Sequence, residues 1–340
     1  MRAFVTIVLI ALFGLAAPDS AQAQEKKYRF VFVSHIGSND PNMKWLTLSI
    51  DEFMKRYPEV EVDYVSTNEY SVQNHIRMIE QSLATNPDGI AVPIVSTDAF
   101  EPVLRKAIDK GIPVVAFNID DPRSKEERIP YLTYVGGDEY QTGLKLGQFA
   151  IQEAKAGRIP KPKKVVCAIH DAAHQGLQAR CRGMTDAMKA INAPLDKLFI
   201  GADPARARSI LQAYLQKNKD EVNYIFSVAA WSSPWAWGVA NDLGLNPDVD
   251  DKGITVITVD ESPIALEGIR LGHVLATHSQ GFWLQGYLPA QWLYFYVHFG
   301  YPPPERLEVG PIVIHKGNLA GWTKLTRTVF GKKYDEMGKW

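Results

Sequence analysis

The chain has 340 residues, 46% hydrophobic and 22% charged, which is ordinary globular composition and long enough for two domains. Its 37 basic and 38 acidic residues leave a formal net charge of −1. That balance excludes the basic excess or stripe that a nucleic-acid partner requires.

Residues 1–23, MRAFVTIVLIALFGLAAPDSAQA, carry a basic start at Arg2, an apolar run over 3–17 and an Ala-Gln-Ala exit. They read as a secretory signal peptide cleaved after Ala23. The apolar run is short for a membrane span. No cysteine lies near the exit, so the expectation is a soluble, exported protein without a lipid anchor. Cys167 and Cys181 are the two cysteines of the chain. An oxidising compartment favours their pairing, which would stabilise the fold by roughly 3 kcal/mol. Two buried free thiols are the alternative.

From Lys27 the pattern alternates. Strands are predicted at 28–34, 60–66, 88–95 and 112–120, separated by helices at 42–56, 72–84 and 99–110. A charged, Pro-containing loop covers 121–131. The segment 132–140 then leads into a helix over 141–156. A stiff linker, GRIPKPKK, occupies 157–164. The alternation restarts with strands at 165–170, 197–202, 223–228 and 254–259, then 273–279. A strongly apolar helix is predicted over 286–299, followed by an extended Pro-rich stretch at 301–317 and a mixed-charge, partly helical surface tail at 319–340. Strands alternating with helices of this length imply doubly wound parallel sheets. The second run of units implies a second, similar lobe. The last hundred residues are too few for a third domain, so they are expected to cross back and complete both lobes, creating a hinge and a cleft.

In open α/β sheets ligands sit beyond the carboxyl ends of the strands. The residues found there are His35, Asn39 and Asp40, then Asn118 and Asp120, His170 and Asp171, Trp231, Asp260 and Gln280. Carboxylates, amides and imidazoles satisfy paired hydroxyls, and indoles cover the apolar face of a ring. Helix capping is the competing explanation for Asp40 and Asp260. It does not explain the histidines and indoles.

Enzymatic signatures are missing. There is no G-x-S-x-G elbow. GGDEYQTG lacks the spacing of a phosphate-cradling loop. HDAAH at 170–174 places Asp where a two-His zinc motif needs Glu, and His170 ends a strand, so no metal is expected. Asp120 and Asp121 read as a solvated loop. No cofactor is expected.

Taken together, the segments resemble the periplasmic sugar-binding proteins of ABC importers, in the ribose-binding-like group. The resemblance is carried by NPDGIAVPIVSTDAFEPVLRKAIDKGIPVVAFNID (86–120), YVGGDEYQTGLKLGQ (134–148) and VVCAIHDAAHQGLQARCRGM (165–184). It continues in VITVDESPIALEGIRLGHVLATHSQGFWLQGY (256–287) and VGPIVIHKGN (309–318), in order and at family spacing. It implies a type I periplasmic binding protein fold. The N-terminal lobe would comprise 24–136 and 281–308, and the C-terminal lobe 137–280 and 309–340. It implies no enzymatic activity. The expected role is a monomeric periplasmic protein that captures a sugar or polyol and delivers it to the importer's membrane permease subunits. A ligand-sensing module for a chemoreceptor or sensor kinase is the alternative.

By the same resemblance Gln280, Asp260 and Arg180 would hold hydroxyl or ring oxygens, with Asp40 and Asn118 as first-lobe contacts. His35, Trp45, Asp120, His170 and Trp231 complete the expected binding set. Phe282 and Trp283 are expected to be helix packing, and His278 is left open between the two roles. The Cys167–Cys181 pairing fits the subgroup. Asn42 and Met43 stand where the family often has two aromatics, and Ala229 and Ala230 where it often has Asn or Asp. The pocket is therefore not that of a ribose binder.

Overall fold

A computed structural model describes residues 28–38, 40–68, 71–245 and 253–340. The signal-peptide reading of 1–23 and the candidate Asn39 lie outside the described residues.

The chain opens with β1 (Tyr28–Ser34), α1 (Met43–Arg56), β2 (Val60–Ser66), α2 (Val72–Ala84), β3 (Gly89–Val92), α3 (Thr97–Asp109), β4 (Val114–Asn118) and β5 (Thr133–Gly136). It continues with α4 (Glu139–Lys155), β6 (Val165–Ile169), α5 (Gln175–Lys189), β7 (Leu195–Phe199), α6 (Pro204–Asn218), β8 (Tyr224–Ser227), α7 (Ser233–Asp242), β9 (Thr255–Ile257), α8 (Pro263–Leu271) and β10 (Ala276–Ser279). It closes with α9 (Phe282–Phe299), β11 (Arg306–Glu308), β12 (Ile312–His315), α10 (Leu319–Phe330) and α11 (Lys333–Met337).

The first lobe is built on a parallel sheet in the order β11-β5-β4-β3-β1-β2. The second is built on β7-β6-β8-β9, also parallel. β10 follows β9 through the Thr258 N–H to Ala276 carbonyl bond and pairs antiparallel with β12. Strands such as VVCAI and VVAFN are buried throughout, because helices cover both sheet faces. α9 returns to pack on α1 and against the first sheet, so the late segment does complete the early lobe.

Element boundaries differ from the sequence pattern in a few places. The third strand is shorter than 88–95, ending at Val92 before Pro93. β7 begins two residues earlier than expected, in register with β6 from Val165 to Ile169. α9 begins at Phe282 rather than 286, because Gly281 turns the chain with φ +71° and the apolar residues that follow are already helical. The 319–340 tail is more than surface. Phe330 and Tyr334 are buried, and the Trp340 indole donates to the Ile264 carbonyl at 2.7 Å.

Cys167 of β6 and Cys181 of α5 form a disulfide with their Cα atoms 6.0 Å apart, tying sheet to helix in the second lobe. α4 and α5 cross at backbone contact. A Cβ on Gly143 would lie 1.9 Å from the Arg180 carbonyl oxygen, and one on Gly183 would lie 1.9 Å from that of Tyr140. Only glycine permits this approach, and it brings Arg180 beside the start of α4.

Three segments link the lobes: the β5–α4 turn, the β10–α9 turn and the β11–β12 connection. They pack directly on one another. A Cβ on Gly281 would meet the Val309 carbonyl oxygen at 2.5 Å, and one on Gly310 would meet that of Ser279 at 2.6 Å.

Candidate functional site

A cavity of about 680 Å³ lies between the lobes, at the carboxyl ends of their strands. The first lobe contributes His35, Ile36, Asp40, Asn42, Asn118 and Ile119. The second contributes His170, His174, Arg180, Trp231, Trp235 and Asp260, and Gln280 enters from the β10–α9 crossing.

The fourth strand of each lobe delivers its polar residue by the same device. Asn118 ends β4 with φ +61°, and Asp260 follows β9 with φ +76°. Asn and Asp tolerate this left-handed conformation better than other side-chain-bearing residues. The reversal aims both side chains into the space between the lobes.

These two groups anchor a network across the cleft. Asn42 Nδ2 donates to Asp260 Oδ2 at 3.2 Å, and Gln280 Nε2 donates to Asp260 Oδ1. Asn118 Nδ2 donates to Gln280 Oε1 at 3.3 Å and to Gln285 Oε1 at 3.0 Å. Asp40 Oδ1 accepts the Asn42 backbone N–H at 2.8 Å. Burial, with the Asp260 carboxylate across the cleft, pushes the Asp40 carboxyl up to about 7.

Arg180 is buried in an ion pair. Its Nε and Nη2 donate to the two Glu139 oxygens, and its Nη1 donates to the Val228 carbonyl at 2.7 Å. Burial opposes the guanidinium charge, but the Glu139 carboxylate outweighs it, so Arg180 stays protonated.

Imidazoles and indoles complete the wall. The His35 and His174 rings meet edge-on at 5.3 Å, the His170 and Trp231 rings lie 4.7 Å apart, and Trp231 meets Trp235 edge-on at 5.1 Å. Burial, followed by Arg180 or a neighbouring imidazole, pulls His35 and His170 down to about 3 and His174 well below its usual value. His75 falls to about 4 through burial, and His278 falls well below the usual range for the same reason. The sign of the pH dependence follows. Below about 6.5 the unfolded chain takes up protons that these five imidazoles refuse. Asp40 and Glu261, with carboxyls raised by burial to about 7, and Glu139 and Asp120, whose carboxyls burial also raises, act in the opposite sense but are fewer. Acidification from neutral to about pH 5 is therefore expected to lower stability, by about 1.4 kcal/mol per pH unit for each uncompensated imidazole. A melting temperature that stays level or rises over that window would contradict it.

Of the sequence candidates, the cavity brings together His35, Asp40, Asn118, His170, Asp171, Arg180, Trp231, Asp260 and Gln280. Two stand apart. Trp45 is buried in the first-lobe core on the inner face of α1, where its ring meets Phe330 edge-on at 5.5 Å. Asp120 pairs with Arg306 of β11 at the sheet edge. His278 lies outside the cavity, with Nε2 3.2 Å from Thr142 Oγ1. Trp283 packs on the core, whereas Phe282, expected only to pack, also lines the cavity. No group of three or more His, Cys, Asp or Glu able to hold a metal occurs among the described residues. His174 of HDAAH instead caps α5, its Nδ1 accepting the Leu177 N–H at 3.4 Å.

Sequence reasoning missed Asn42, Glu139, Trp235 and Gln175. Gln175, at the start of α5, reaches across to the first lobe. Its Nε2 donates to the carbonyls of Ile94 at 2.6 Å and Asp120 at 2.9 Å, and its Oε1 accepts from Thr97 Oγ1 at 3.0 Å. Its backbone N–H donates to the Val95 carbonyl at 3.2 Å. Phe330 on Trp45 is a further contact between the lobes, reinforced by Lys44 Nζ donating to the Phe330 carbonyl at 3.1 Å.

Two doubly wound lobes, three linking segments and a polar cavity walled from both sides define a two-lobe solute-binding protein, the type I periplasmic binding protein fold. Residues 30–300 match the model of the periplasmic binding protein domain family, and the chain belongs to that family. It is 27% identical over 255 residues to the xylose/arabinose-binding protein XylF of Sulfolobus acidocaldarius, a match covering 73% of this chain but only 62% of that protein. It is 26% identical over 290 residues to the D-ribose/D-allose-binding protein of Pseudomonas aeruginosa, covering 82% of this chain and 85% of that one. Among solved structures it is similar to a carbohydrate transporter from Acidothermus cellulolyticus in complex with myo-inositol. That match has a TM-score of 0.76 and 22% identity, and covers 89% of this chain and 99% of the other. The family is one of binding proteins, not of enzymes.

Proposed function

We propose that the protein captures a sugar or sugar-like polyol in the interlobe cavity and delivers it to the membrane permease subunits of an ABC importer. The observation that carries this reading is the cavity itself. Polar strand-end side chains from both lobes converge on it, and only the closed arrangement can satisfy a guest from both sides. His35, Asp40, Asn118, His170, Arg180, Trp231, Asp260 and Gln280 are the proposed ligand-contacting set. The lobes are taken as 24–136 with 281–308, and 137–280 with 309–340, a division supported by β11 joining the first parallel sheet. Export to the periplasm agrees with the family. No helix among the described residues is long and apolar enough to cross a membrane.

The test is a thermal-shift screen of pentoses, hexoses, polyols and nucleosides. A ligand that binds only the folded state raises the melting temperature, by an amount set by RT ln(1 + [L]/Kd). A sugar or polyol is expected to do so, and a panel without any shift would count against the reading. With that ligand, Gln175→Ala is expected to weaken binding by about 1–2 kcal/mol, roughly a factor of 5–30, because it removes lobe-to-lobe hydrogen bonds without touching the guest. Unchanged affinity in calorimetry would show that the Gln175 contacts do not favour closure.

A further inference from the structure

We propose that the cavity selects a hydroxylated amine, such as an amino sugar or an aminated polyol, over the neutral compound of the same shape. The inference rests on the polyol-site reading above and adds a charge to the guest.

The charged groups that line the cavity are unbalanced. Asp40, Asp171 and Asp260 face it against Arg180 alone, whereas the whole chain has nearly equal numbers of acids and bases. Arg180 redresses this only in part, because Glu139 takes two of its nitrogens and the Val228 carbonyl takes the third, leaving it to act on Asp40 and Asp260 at a distance. The imidazoles His35, His170 and His174 are held neutral by burial. The partners of Asp260 are the uncharged amides of Asn42 and Gln280. Asp40 accepts the Asn42 backbone N–H on one oxygen, which leaves carboxylate surface open to the cavity.

Two carboxyl groups from opposite lobes therefore share a partly dehydrated space with no mobile cation among the described lining, and near neutral pH Asp40 relieves their repulsion in part by holding a proton. A neutral polyol can donate hydroxyls to them but brings no positive charge to take that proton's place. An ammonium placed between Asp40 and Asp260 neutralises that repulsion and ties one lobe to the other. Trp231 and Trp235 lie on the same cavity, and an indole face attracts a cation as well as the C–H face of a ring. A sugar acid or sugar phosphate would meet like charge and is disfavoured.

The experiment is calorimetry at near-neutral pH with matched pairs: glucamine and sorbitol, inosamine and inositol, glucosamine and glucose. In at least one pair the amine is expected to bind about tenfold or more tightly than its neutral partner. In Asp40→Asn both members of the pair are expected to lose affinity, but the amine about tenfold more than its neutral partner, so that the ratio falls towards one. Neutral partners that bind as tightly as the amines would overturn the inference and leave the polyol site standing. An undiminished ratio in Asp40→Asn would overturn it as well. If no member of any pair binds and the sugar screen is also blank, the polyol site falls and the amine preference falls with it.

Discussion

Glu139→Ala is expected to lower the unfolding free energy by about 3–5 kcal/mol, the largest stability loss of any substitution near the cavity. The reason is the charge left behind. Arg180 is only 4% exposed, and its guanidinium sits where α4 and α5 touch through Gly143 and Gly183. Without Glu139 it keeps the Val228 carbonyl and the more distant Asp260 carboxylate, with no anion hydrogen-bonded to it. Replacing both partners with apolar residues of similar size should recover much of the loss, because no stranded charge then remains. Urea unfolding followed by circular dichroism separates the cases. A single variant within about 1 kcal/mol of the parent would show that water or another group compensates Arg180, and would remove the pair from the account of how the site is held.

Asp260→Ala is expected to weaken ligand binding tenfold or more, since leaving buried hydrogen-bond partners unmatched costs about 1–3 kcal/mol. Asp260 accepts from Asn42 of the first lobe and from Gln280 of the crossing. Its loss therefore strands two amides in addition to removing a proposed ligand acceptor. Asp260→Asn keeps the left-handed backbone comfortable and the shape intact, so it isolates the charge. Parental affinity in Asp260→Ala would exclude this residue from the binding site.

The fold was legible because strand and helix periodicities alternate cleanly. Buried strands such as VVCAI also leave little choice of class. Most of the cavity wall was legible for a related reason: the carboxyl end of a parallel strand is recognisable in sequence, and His35, Asn118, His170 and Asp260 all stand there. Three residues show where that reasoning ends. Trp45 lies close to the cavity in sequence but on a helix, and helical spacing alone does not say which apolar neighbour arrives. It is Phe330, from a tail that read as surface. Asp120 is two residues past Asn118, yet it is claimed by Arg306, 186 residues downstream. Gln175 carries no local signal, since its partners Ile94, Val95, Thr97 and Asp120 belong to the other lobe and depend on how the two lobes dock.

The Gln175 contacts also bear on rates. Its hydrogen bonds join the lobes beside the space the guest must occupy, so entry and exit both wait for them to break. Association should then be limited by how often the lobes part rather than by diffusion, and residence time by how long they stay together. A protein built this way releases its cargo slowly into free solution and quickly only where something else pulls the halves apart.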